Sequence, residues 1–128
     1  MKALVIEDSA VQRKKLKDDL QSLNFDEVKT AEDYKTGLEE FSRMDPDITF
    51  IDVMLPDRSG IDLLEAIKEK DPDAKVVMVT VIYMDEFKKK IDQLDLPKES
   101  KQRLYHPPYL NKPYKMAELE KAIHETGL

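Results

Sequence analysis

Short apolar runs alternate with amphipathic stripes along the chain. Lys2–Ile6 (KALVI), residues 48–51 (ITFI) and residues 75–79 (KVVMV) are nearly unbroken apolar or β-branched runs, as expected of strands covered on both faces. Glu27–Ala31 reads as another strand after a turn at Phe25 and Asp26, and Tyr109–Asn111 as a minimal fifth. Between the strands, apolar positions recur at helical spacing. Ser9 is placed to cap a first helix whose stripe is Val11, Leu16, Leu20 and Leu23. Asp33 opens a second, with Tyr34, Leu38 and Phe41 on one face and Asp45-Pro46 as its stop. A third begins at Ile61, turns Ile61, Leu63, Leu64 and Ile67 inward, and ends at Asp71-Pro72. Met84, Phe87, Ile91 and Leu94 form the fourth stripe, and Met116, Leu119, Ala122 and Ile123 the last.

Five strands alternating with five helices predict a parallel sheet covered on both faces. Right-handed crossovers narrow this to a doubly wound sheet. One segment breaks the rhythm. Residues 97–105 (PKESKQRLY), between the fourth helix and the fifth strand, read as an extra helical turn or two, started by Pro97 and ended by His106-Pro107-Pro108. The length suits one domain over 1–128, with no repeat or interdomain linker. There is no cysteine, which excludes disulfides and thiolate metal sites and agrees with a cytoplasmic setting. The start, MKALVIEDSA, carries too short an apolar stretch for a signal peptide, and no run approaches a membrane span. A net charge of −6 and a pI near 5.0 argue against nucleic acid as a direct partner. The charge is uneven: residues 84–112 hold seven Lys/Arg against five Asp/Glu, so the remainder carries −8.

The candidate chemistry gathers just past the strand ends. Glu7 and Asp8 follow the first strand, Asp52 stands where the third should stop, Thr80 closes the fourth and Lys112 follows the fifth. In open α/β sheets, ligands bind outside those carboxyl ends, at the switch in strand order. Each residue has a plainer reading by itself: Glu7-Asp8 as helix-dipole partners, Asp52 as a loop acid, Thr80 as a cap, Lys112 as a solvated lysine. Their convergence on one rim favours a site. Three clustered carboxylates repel unless a cation sits among them, and hard oxygen donors suit Mg2+. A metal-bound Asp52 is suited to nucleophilic attack on a phosphoryl group, giving an aspartyl phosphate. Lys112 and the metal would neutralise the phosphoryl oxygens, and Thr80 would donate a hydrogen bond to one of them. The three glycines are widely separated and form no phosphate-binding loop, so the phosphoryl donor must be held by something else, such as a partner protein.

In these residues the chain resembles the receiver domain of bacterial two-component response regulators, over essentially its whole length. The matching segments are VIEDS at 5–9, DVMLPDRSG at 52–60, VVMVT at 76–80 and YLNKPY at 109–114. The resemblance implies a flavodoxin-like fold with strand order 2-1-3-4-5. It makes Asp52 the phosphoacceptor, puts Asp8, Asp52 and the Met54 backbone carbonyl on Mg2+, and has Glu7 act through metal-bound water. Thr80 and Lys112 would contact the phosphoryl group, and the Lys112–Pro113 bond would be cis. Tyr109 takes the place of an aromatic switch that turns inward with Thr80; a half-exposed aromatic on an edge strand is the alternative. The implied activity is that of a phosphorelay switch and not an enzyme, turning over at most its own phosphoryl group. The implied partners are a sensor histidine kinase or phosphotransfer protein and a downstream protein target, met on the face of the fourth helix, fifth strand and last helix. With no second domain after Leu128, output is expected through protein–protein contact.

Two features depart from the family. Val81 stands where the family mostly has alanine, so a larger branched side chain is expected to narrow access to Asp52. Thr80 and Lys112 lie 32 positions apart, more than usual, and the extra segment 97–108 carries Lys98, Lys101, Arg103 and His106 with Leu104 and Tyr105. It is either a docking element for a particular partner or a solvated insertion. Two other functions compete. A phosphorylation-independent interaction module would keep the fold without the switch, against the intact set Asp8, Asp52, Thr80 and Lys112. A phosphatase with an aspartyl nucleophile would need a second acid two residues on, where Met54 stands.

Overall fold

The computed structural model describes residues 1–81, 84–99, 101 and 107–128. Strands and helices alternate along the chain: β1 (Lys2–Ile6), α1 (Ala10–Ser22), β2 (Glu27–Ala31), α2 (Tyr34–Met44), β3 (Ile48–Asp52), α3 (Gly60–Lys70), β4 (Val76–Thr80), α4 (Met84–Asp92), β5 (Tyr109–Asn111) and α5 (Met116–Glu125). The sheet order is β2-β1-β3-β4-β5 and each pairing is parallel, the flavodoxin-like arrangement implied by the resemblance. β3 and β4 are buried at every residue, which is why their sequences read as unbroken apolar runs.

Successive side chains of a strand point to opposite faces, so each run feeds two cores. Leu4, Ile6, Ile51 and Met78 pack on one face with Phe41, Leu64, Ile67 and Ile91. Ala3, Val5, Phe50, Val77 and Val79 pack on the other with Leu16, Leu20 and Leu119. A one-residue slip would move every strand side chain to the wrong core, so the register is strongly specified. That register pairs Ile6 with Ile51, Asp52 with Val79 and Thr80 with Asn111. The residues at or just past these pairs therefore share one rim.

The helix ends follow their capping residues. Ser9 Oγ accepts from the Gln12 amide at 3.3 Å, and Asp33 Oδ1 accepts from the Thr36 amide at 2.8 Å. Asp45, in the left-handed region at φ 49°, closes α2 before Pro46. α3 starts at Gly60, one residue before the expected Ile61, with Ser59 as its N-cap accepting from the Ile61 amide at 3.1 Å, and the chain there passes hard against β3. A Cβ on Gly60 would lie 2.0 Å from the Asp52 carbonyl oxygen, so a side chain is excluded at that crossing.

Several expectations shift. β4 runs one residue later than residues 75–79, so Thr80 is its last member and not its successor. Val11 is 80% exposed and leaves the α1 stripe. It lies five residues before Leu16, a spacing that turns it well away from the inner face. Met116, at the first turn of α5, is also exposed, while Leu119 and Ala122 are buried. On α4, Ile91 is buried; the side chains of Met84 and Phe87 lie outside the described set. The extra segment begins as expected: the Lys101 amide donates to the Pro97 carbonyl at 3.1 Å, closing a helical turn. Lys101 Nζ reaches back to the Asp92 carbonyl at 2.7 Å, at the end of α4. Arg103, Leu104, Tyr105 and His106 lie outside the described residues. Among the described residues, no helix is long and apolar enough to cross a membrane.

Candidate functional site

The carboxyl ends of β1, β3, β4 and β5 bring the predicted residues to one place. Glu7 follows β1 and donates its backbone amide to the Ala31 carbonyl of β2 at 3.0 Å, which holds it at the sheet edge. Asp52 is the last residue of β3, beside it. Lys112 follows β5, and its amide donates to the Thr80 carbonyl at 2.9 Å, extending the ladder one residue past the strand. The Lys112–Pro113 peptide is cis.

From that anchor the Lys112 ammonium enters the acidic cluster. Nζ donates to Glu7 Oε1 at 2.6 Å and to Asp52 Oδ2 at 2.8 Å. It also donates to Gln12 Oε1, on the first turn of α1. The remaining carboxylate oxygens are met by backbone amides: Ser9 N–H donates to Glu7 Oε2 at 3.1 Å and Met54 N–H to Asp52 Oδ1 at 2.8 Å. Glu7 and Asp52 are both buried, and Thr80 is fully so. Buried carboxylate oxygens need such hydrogen-bond partners in place of the water they lose.

Asp8 is different. It is exposed, and its carboxyl is pushed above the usual range, first by hydrogen bonding with the Glu7 carboxylate, then by partial burial and by repulsion from Glu7. Lys112 moves up as well: burial works against its charge, but the hydrogen bonds and charges of Asp52 and Glu7 outweigh that penalty. One oxygen from each of Glu7, Asp8 and Asp52 lies within 4.8 Å of the others. Three carboxylates with one ammonium leave an excess of negative charge, and an all-oxygen donor set suits a hard divalent cation. Met54 is brought to the cluster through its backbone amide.

Tyr109 pairs with Met78 in the β4–β5 register, two residues before the Thr80–Asn111 pair. By strand alternation Thr80 and Tyr109 share a face of the sheet. The tyrosine is half-buried with its hydroxyl oxygen enclosed, and its ring packs against the core of Met78 and Ile91.

Three contributors lie outside the residues that sequence reasoning named for the site. Gln12 joins through its contact with Lys112. Arg13 Nη1 donates to the Glu7 carbonyl at 2.8 Å and the Asp8 carbonyl at 3.2 Å, fixing the turn that presents both acids. Asp57 accepts from the Tyr34 amide at 2.9 Å and the Lys35 amide at 3.2 Å. It thereby ties the loop after Asp52 to the start of α2, and Arg58 stacks 4.2 Å from the Tyr34 ring centre beside it. Asp57 follows Pro56, so by itself it reads as an ordinary turn acid. A cavity of about 260 Å³ opens next to the cluster, between α1 and the loop after β5, with Gln12, Leu16, Val79, Val81, Lys112 and Tyr114 in its lining.

Known proteins place this arrangement. Residues 3–124 match the response regulator receiver domain family. The chemotaxis protein CheY of Listeria monocytogenes is 29% identical over 82 residues, 64% of this chain and 69% of that protein. CheY of Halobacterium salinarum is 33% identical over 87 residues, 68% of this chain and 72% of that protein. Among solved structures, a response regulator receiver domain protein from Clostridium thermocellum superposes with a TM-score of 0.78 at 28% identity, covering 98% of this chain and 92% of that one. A chain of the CheX-CheY-BeF3-Mg+2 complex from Borrelia burgdorferi gives 0.82 at 20% identity, covering 100% and 90%, a likeness of fold. With residues 3–124 matching that family, the chain belongs to the response regulator receiver domain family.

Proposed function

We propose that this protein is a phosphoacceptor switch in a two-component phosphorelay, with Asp52 receiving the phosphoryl group. The observation that carries this reading is the Lys112 ammonium 2.8 Å from Asp52 Oδ2 in a cluster that also holds Glu7 and Asp8. A carboxylate oxygen of Asp52 attacks phosphorus, the new O–P bond forms, and the bond to the donor's leaving atom breaks. Lys112 neutralises charge on the transferring oxygens, and the Thr80 hydroxyl donates to one of them. Glu7, Asp8, Asp52 and the Met54 carbonyl are the groups suited to hold Mg2+, which when bound supplies further charge neutralisation at the phosphoryl oxygens. Met54 offers no acid two residues after Asp52, so turnover is limited to the protein's own phosphorylation and dephosphorylation.

The donor is a sensor histidine kinase or phosphotransfer protein in the cytoplasm, and the signal passes to a protein target. Thr80 and Tyr109 lie on one face of the sheet, so drawing Thr80 toward a phosphoryl group opens space on the α4–β5–α5 side that Tyr109 can follow. The test is labelling with Mg2+ and phosphoramidate, read as a mobility shift on a phosphate-affinity gel. The wild type should label and Asp52→Asn should not. A label that survives Asp52→Asn would place the acceptor elsewhere.

A further inference from the structure

Lys112 is held in an unusual way. An ammonium has three N–H donors, and here the acceptors are Glu7, Asp52 and Gln12. The first two are acids of the cluster that suits a cation; Gln12 is neutral and comes from α1. Packing does little to fix the lysine on its α1 side, because Lys112, Gln12, Leu16 and Val79 all face the same cavity of about 260 Å³. Its hydrogen bonds therefore set where the charge sits.

The α1 end of this contact is firmly built. The Gln12 amide is capped by Ser9 Oγ at 3.3 Å, and the Ser9 amide donates to Glu7 Oε2 at 3.1 Å. Arg13 clamps the Glu7 and Asp8 carbonyls from the same turn. The Gln12 backbone is thus fixed relative to the two acids. A cation held by Glu7 and Asp52 would compete with Lys112 for the same oxygens, whereas Gln12 lies outside the group of three clustered carboxylates.

We propose that Gln12 is a positioning residue for Lys112. Its carboxamide keeps one N–H of the ammonium engaged while the bonds to Glu7 and Asp52 are exchanged for phosphoryl oxygens. Gln12 touches no reacting atom and acts through the lysine. The proposal rests on the phosphoacceptor reading given above.

Three variants test it: Gln12→Ala, Gln12→Met, which keeps the length without the acceptor, and Gln12→Glu, which keeps the acceptor. The first readout needs neither cation nor donor. The ¹⁵Nζ resonance of Lys112, assigned by its loss in Lys112→Arg, should be visible in the wild type and Gln12→Glu and broadened by faster hydrogen exchange in Ala and Met. The second is the initial rate of phosphoramidate labelling at saturating Mg2+. Ala and Met should label roughly tenfold more slowly, the scale of losing one hydrogen bond to a charged group that orients a reacting centre. Glu should recover most of that loss. Wild-type rates and an unchanged Lys112 signal in Ala and Met would overturn the proposal, as would equal impairment of all three variants. Absence of label in the wild type, or label surviving in Asp52→Asn, would sink the phosphoacceptor reading instead, and the Lys112 resonance would still decide whether Gln12 holds the lysine.

Discussion

Replacing Lys112 with methionine removes the cation that bridges Glu7 and Asp52, and the structure allows the cost to be worked out. The side chains of Lys112, Glu7 and Asp52 are 15%, 7% and 8% exposed, so solvent cannot replace the lost partner. Breaking a buried ion pair by removing one member costs about 3–5 kcal/mol, because the remaining charge is uncompensated. Here Glu7 keeps the Ser9 amide and Asp52 keeps the Met54 amide, which puts Lys112→Met toward the lower end, about 3 kcal/mol. For a chain of 128 residues that corresponds to a fall in Tm of roughly 10 °C. The pH dependence follows from the charges involved. Lys112 is raised from 10.5, its burial being outweighed by Asp52 and Glu7, so its stabilisation is fully present below that value and is lost as pH rises through the folded pKa. The gap between wild type and variant should therefore hold level from neutral pH up to the ordinary lysine range and narrow above it. Urea unfolding in a chelating buffer, followed by circular dichroism across that range, measures it. Added Mg2+ should narrow the gap, because a cation binding the variant meets no competing ammonium. A difference under about 1 kcal/mol at pH 7, or one that does not narrow as pH rises past the ordinary lysine range, would refute the reasoning.

Three further substitutions probe other parts of the site. Asp8→Asn should raise Tm in chelator at pH 7: the carboxyl is raised by its contact with Glu7, so the wild type loses stability as pH rises through that value, and a neutral amide avoids the loss. A lower Tm for Asp8→Asn would contradict this. Val81 is 62% exposed and lines the cavity beside Asp52, so Val81→Ala should speed labelling by acetyl phosphate by on the order of a few-fold, and equal rates would remove the steric argument. Asp57→Ala removes the acceptors for both the Tyr34 and the Lys35 amides and should lower the urea midpoint, with Asp57→Asn, which keeps one acceptor oxygen for one of the two amides, falling between Ala and wild type; a wild-type midpoint for Ala would remove the tie.

The architecture was legible because it rests on short-range pattern. β3 and β4 feed a core on each side, so their residues had to be apolar without interruption, and the parallel topology followed from what lay between them. β4 ends one residue later than polarity alone implies, because pairing with Asn111 carries the ladder through Thr80. Val11 is apolar, yet its spacing from Leu16 turns it from the sheet. The site divides along a different line. Glu7, Asp8, Asp52 and Lys112 could be grouped before any coordinates because charges at the carboxyl rim of a sheet have few other reasons to gather. Gln12 is four residues beyond Asp8 and shares the Lys112 ammonium with Glu7 and Asp52, yet a neutral amide on an exposed helix turn has many reasons to be there. Asp57 finds its partners 22 and 23 residues earlier in the chain, across a crossover that no local spacing records. Charge clustering thus identifies which groups do the chemistry, while the groups that hold them in place emerge from the tertiary contacts, and it is at Gln12 that the two descriptions meet.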